Sequence, residues 1–68
     1  MIRQFRNKKA DAWAHKADVL RAAAAELKAV HDEHVAGGGR VSMSTFDVYA
    51  SAVGNAEYCE RRADRWRP

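Results

Sequence analysis

Four groups of residues in this sequence have types and spacings that can do chemistry. His31-Asp32-Glu33-His34 is the one most like a metal site. Histidines three apart share a helix face, and a zinc site takes three or four ligands in tetrahedral order. His31 and His34 can supply two. A third has to come from Asp47 beyond a loop or from another chain, because Asp32 and Glu33 project elsewhere on the helix. The spacing matches no metal-binding pattern, so these are read as polar residues closing a helix, and no metal or other cofactor is expected. Cys59 and His15 can be paired as nucleophile and base. No third group orients them, and Cys59 falls on an apolar stripe, where a thiol packs as a small hydrophobe. Gly37-Gly38-Gly39-Arg40 lacks the Lys-Ser/Thr pair and the preceding strand of a phosphate loop, so its expected role is to stop a helix and turn. No catalytic residue is assigned. The chain is expected not to be an enzyme, and no small-molecule substrate is inferred.

The fourth group combines charge with aromatic surface. Arg3, Arg6, Lys8, Lys9 and Lys16 cluster early in the sequence, and Arg61, Arg62, Arg65 and Arg67 cluster late, with Trp13 and Trp66 among them. Tryptophan and arginine are enriched at binding hot spots, and arginine also neutralises phosphates. Asp11, Glu57, Glu60 and Asp64 dilute the basic groups, and the formal net charge is only +3.

The elements that must position these groups are helical. From Asn7 to Ala36 there is no glycine or proline, and Ala, Leu, Glu, Lys and Arg dominate. Trp13, Ala17, Leu20, Ala24, Leu27, Val30 and His31 recur at helical spacing as one apolar stripe. The three glycines end this helix, since a glycine past the last turn takes the left-handed cap conformation. Ser44-Thr45-Phe46-Asp47 reads as a capping box opening a second helix, with Met43 and Val48 as its hydrophobic staple. Its stripe runs Tyr49, Ala52, Val53, Ala56, Cys59, Ala63 and Trp66. The spacing predicts a single domain over 1–68: a helix at about 7–36, a loop at 37–43, a helix at about 44–66, and an arm at 1–6. Folded back on the loop, Leu27 faces Val53, Ala24 faces Ala56, Leu20 faces Cys59, Ala17 faces Ala63, and Trp13 meets Trp66. The basic clusters then share one end, and Asp32, Glu33 and Asp47 gather at the other.

The fold class is therefore all-α, an antiparallel two-helix hairpin. A chain of 68 residues buries little apolar surface alone, and with one cysteine it cannot form an internal disulfide, so dimerisation into a four-helix bundle is expected. This inferred architecture is similar to the repressor-of-primer hairpins, dimeric four-helix RNA binders, in shape alone; no residue carries over. The oligomer interface is expected at Ala17, Leu20, Ala24, Leu27, Val53 and Ala56. A lone cysteine, no apolar run long enough for a membrane, and no signal-peptide core point to the cytoplasm. Alanine richness and arginine in excess of lysine suggest GC-rich coding, as in a phage or an actinobacterium.

The function expected is that of a small interaction protein, an adaptor, regulator or inhibitor. It self-associates and binds a partner protein through Ile2, Phe5, Arg6, Trp13, Arg62, Arg65 and Trp66. The alternative is an RNA- or DNA-binding regulator using the same basic end. The protein partner is favoured because Glu57, Glu60 and Asp64 interleave with the arginines and would repel a phosphate backbone.

Overall fold

The computed structural model describes residues 2–67. They form two helices, α1 (Ile2–Ala36) and α2 (Met43–Trp66), packed against each other as a hairpin. The rod measures 56 × 14 × 11 Å, and the 35 residues of α1 account for its length at ~1.5 Å per residue. No helix among the described residues is long and apolar enough to cross a membrane.

The first helix begins five residues earlier than its composition suggests. Asn7 does not cap it. Residues 2–6 continue the helix rather than forming a separate arm, because Phe5 and Arg6 find partners on α2: Phe5 packs edge-on against Trp66 at 5.9 Å, and Arg6 Nη2 donates to the Arg65 carbonyl at 2.7 Å. Met1, counted in the expected arm, and Pro68 lie outside the described residues.

The glycines end α1 as expected. Gly38 takes φ 96°, its amide donates to the Val35 carbonyl, and the Gly39 amide donates to the His34 carbonyl. These two bonds make the Schellman closure, which satisfies orphan carbonyls of the last turn. Gly39 also lies so close to the His34 ring that a Cβ would collide with it. The chain then runs back alongside α1, and the Ser42 amide donates to His31 Nε2 at 3.1 Å.

That return path moves the start of α2. Its N-cap is Ser42, whose hydroxyl accepts from the Thr45 amide at 3.2 Å, so the expected box at Ser44 and Asp47 is not the cap. The staple shifts with it: Val41 and Phe46, before the cap and in the first turn, line one groove, which Met43 and Val48 do not line.

The seam between the helices is a heptad repeat. Arg6, Ala10, Trp13, Ala17, Leu20, Ala24, Leu27 and His31 on α1, and Thr45, Tyr49, Ala52, Ala56, Cys59, Ala63 and Trp66 on α2, are all buried or half-buried. Both series alternate steps of four and three, the period of a left-handed coiled coil. Among the described residues only small ones are fully enclosed: Ala10, Ala17, Ala24, Ala56, Cys59 and Ala63. Ala17, Ala24 and Ala56, expected at an interface between copies, are thus consumed inside the hairpin. Leu20, Leu27 and Val53 are half-buried at its edges.

One fold-back pair comes together on one side of the seam, where Ala17 and Ala63 line the same groove. The pairing fails on the other, where Trp13 meets Tyr58 at 6.0 Å and Trp66 meets Phe5. Each residue of a coiled coil sits among four of the facing helix, so one symmetric pairing cannot describe both sides, and the return path to His31 extends α2 a turn further along α1.

Across the seam, Arg21 grips Glu60 with both guanidinium edges at 3.2 and 2.5 Å. The hydrogen bond from Arg21, and then its charge, lower the Glu60 pKa below its ordinary value. A depressed carboxylate contributes stability above the ordinary carboxylate range and loses it as pH falls through the folded value. The urea midpoint of the wild type should therefore fall on acidification more than that of Glu60→Gln, by a small margin because the pair is exposed. Replacing Ala56, which is 0% exposed, with leucine should lower stability by about 1–3 kcal/mol through overpacking. Ala22→Leu on the exposed side of α1 should leave the urea midpoint almost unmoved.

Candidate aromatic-cationic face

One side of the rod gathers aromatic and cationic side chains. On α1, Phe5, Lys9, Trp13 and Lys16 recur every three or four residues; on α2, Tyr58, Arg62 and Trp66 recur every four, with Arg65 beside them. Their rings form two pairs. Phe5 and Trp66 meet at an interplanar angle of 81°, and Trp13 and Tyr58 at 82°, the edge-to-face arrangement that ring quadrupoles favour.

Cations cover these rings. Lys16 Nζ lies 4.6 Å from the Trp13 centroid, and the Arg62 guanidinium lies 5.4 Å from Trp13 and 5.7 Å from Tyr58. Arg6 sits 5.5 Å from Trp66, and Lys9 sits 5.7 Å from Phe5. All fall within the ~6 Å reach of a cation–π contact. Arg6, Arg62, Arg65 and Trp66 line a groove of about 210 Å³ between the two ring pairs. Arg62 Nε is buried with no hydrogen-bond partner.

The opposite side holds carboxylates and the cations paired with them. Asp18, Glu60, Asp64 and Arg67 line its groove with Ala14, Ala17 and Ala63. Among the described residues the ion pairs are Arg21–Glu60, Lys28–Asp32, Arg67–Asp64 and the longer His31–Asp32 contact. None involves Arg6, Lys9, Lys16, Arg62 or Arg65. Glu57, Glu60 and Asp64 interleave with arginines in sequence, but their steps of three and four place them together on the far side of α2. Arg21 and Lys28, on that side, have pKa values raised by the hydrogen bonds and charges of Glu60 and Asp32, respectively.

Of the residues expected to bind a partner, Phe5, Arg6, Trp13, Arg62, Arg65 and Trp66 come together on this face. Ile2, 79% exposed, stands at the tip of α1. Lys9, Lys16 and Tyr58 complete the face and were not among the expected residues. Their signal was legible in the four-residue steps from Phe5 through Lys9 to Trp13 and from Tyr58 through Arg62 to Trp66. The histidine cluster separates: His31 accepts from the Ser42 amide, while His34 packs at Gly39. No three His, Cys, Asp or Glu side chains converge among the described residues. Cys59 is buried in the seam as a free thiol. Comparison with protein-family models, curated proteins and solved structures finds no match to this chain, so the reading of this face rests on its own geometry.

Proposed function

We propose that the chain is a small non-enzymatic regulator that binds nucleic acid through the aromatic-cationic face. One observation carries the reading: among the described residues the cations on this face form no ion pair, and Asp18, Glu60 and Asp64 line the groove across the seam. A phosphate backbone approaching the ring pairs meets the cations of Arg6, Lys9, Lys16 and Arg62 beside them, and neutralising phosphates releases condensed counterions. The objection from interleaved acidic residues is weakened, because they interleave only along the sequence. Work in the cytoplasm is part of the same proposal.

Affinity for labelled oligonucleotides should fall steeply with salt. Arg62→Gln and Arg65→Gln should each weaken binding similarly across sequences and reduce the salt slope by about one phosphate contact, roughly 0.7 to 0.9. Arg21→Gln, on the far side, should leave the slope unchanged. No binding at physiological ionic strength, with Trp66→Ala abolishing capture of an acidic protein, would replace this reading with the protein partner.

We also infer that the hairpin self-associates through its loop half. The seam encloses no large side chain, whereas Leu27, Val41, Phe46 and Tyr49 line an open, mostly apolar groove of about 280 Å³ that the Lys28–Asp32 pair borders. A second copy would cover this surface and complete a four-helix arrangement. The melting temperature should then rise with protein concentration, and Phe46→Glu should yield a monomer that keeps the cationic face. Sedimentation of the wild type as a monomer at low micromolar concentration would exclude this assembly.

A further inference from the structure

We infer that the nucleic acid taken by this face is a single strand, whose bases stack on Phe5 and Tyr58 while its phosphates meet the cations between them. The inference rests on the nucleic-acid reading above and specifies the ligand. Phe5 and Tyr58 are 54% and 47% exposed even with Lys9 and Arg62 over their rings, and each forms an edge-to-face pair with a half-buried tryptophan, so ring surface is offered to solvent in a set orientation. Phe5 and Trp13, which anchor the two ring pairs on α1, are eight residues apart, about 12 Å along the axis at 1.5 Å per residue.

Stacking on these rings discriminates between ligands. A paired base has both faces covered by its neighbours at ~3.4 Å, so a strand placing bases on both ring pairs must free them from that stack. A single strand does this without breaking base pairs, and aromatic platforms beside basic grooves accept every base because each has a π-face. A duplex keeps its bases paired inside and offers phosphates, which the arginines and lysines can use and the rings cannot. The groove of Arg6, Arg62, Arg65 and Trp66 lies between the ring pairs, where the connecting phosphates of an extended strand would run. The Arg62 side chain makes no hydrogen bond among the described residues and lines this groove, where a phosphate can accept from its guanidinium.

The test is fluorescence anisotropy on the whole chain with three probes of equal length: a thymidine single strand, a duplex, and an abasic single strand that keeps the phosphates. The thymidine strand should bind at least about tenfold tighter than either of the others, two stacked bases being lost in each. Phe5→Leu, which keeps an apolar contact for Trp66, and Tyr58→Ala should each weaken the thymidine strand at least about fivefold and leave the abasic strand unchanged, with helicity checked by circular dichroism. Equal affinity for duplex or abasic strand, or indifference to both substitutions, overturns the single-strand inference and leaves nucleic-acid binding standing. Failure of all three probes to bind at low salt overturns the nucleic-acid reading itself.

Discussion

Backbone can approach backbone in this hairpin because small residues occupy the innermost seam positions: Ala10, Ala17 and Ala24 on α1, and Ala56, Cys59 and Ala63 on α2. A methyl group contributes only about 0.8 kcal/mol of transfer free energy on burial, so this seam is weak per residue and depends on continuity over many turns. It is also intolerant, since a closely packed contact has no room for added methylenes. The larger seam residues, Trp13, Leu20, Leu27, Tyr49 and Trp66, cannot enter so narrow a space and remain half-buried at its margins. The surfaces open to partners are therefore a direct result of the small core.

The loop converts this seam into one register. A Schellman closure ends α1, and the hydrogen bond from the Ser42 amide to the His31 ring draws the chain back before α2 starts. Ser42 then caps the new helix through Thr45, so one serine ties the loop to α1 through its backbone and starts α2 through its side chain. Had α2 begun opposite Ala36, Trp66 would have reached only to Trp13. Starting nearer His31, it reaches Phe5, which keeps residues 2–6 helical and assembles the first ring pair.

Much of this was legible from residue types. Helix period, the glycine stop and the apolar stripes define a two-helix hairpin, because periodicity and caps act over a few residues. The cap was displaced from Ser44 to Ser42 because both serines precede plausible first turns, and the choice depends on a tertiary contact with His31. The pairing of the tryptophans was missed for the same reason. The aromatic-cationic residues were partly legible: Phe5, Arg6, Trp13, Arg62, Arg65 and Trp66 stand out as types, Lys9 and Lys16 stand out as cations but join the face only through their three- and four-residue steps, and Tyr58 stands out only when read at four-residue spacing. Interleaving of Glu57, Glu60 and Asp64 with arginines is a property of the chain in one dimension. A helix projects those positions to another side.

The sorting of charge follows from the same geometry. Two helices sharing a narrow seam have two flanks, and the heptad positions beside the seam decide which residues occupy each. On one flank, Arg21 and Lys28 are seven apart, as are Glu60 and Arg67, so opposite charges meet and neutralise one another across or along the helices. On the other flank, around the two ring pairs, the positions are lysines, arginines and rings. There the cations find quadrupoles instead of carboxylates, an interaction that orients a cation without cancelling its charge. Around the ring pairs the positive charge therefore survives folding. A protein of net charge +3 can in this way present a locally far more basic surface than its composition implies, and a field of that kind acts on the approach of an anionic polymer before any contact is made.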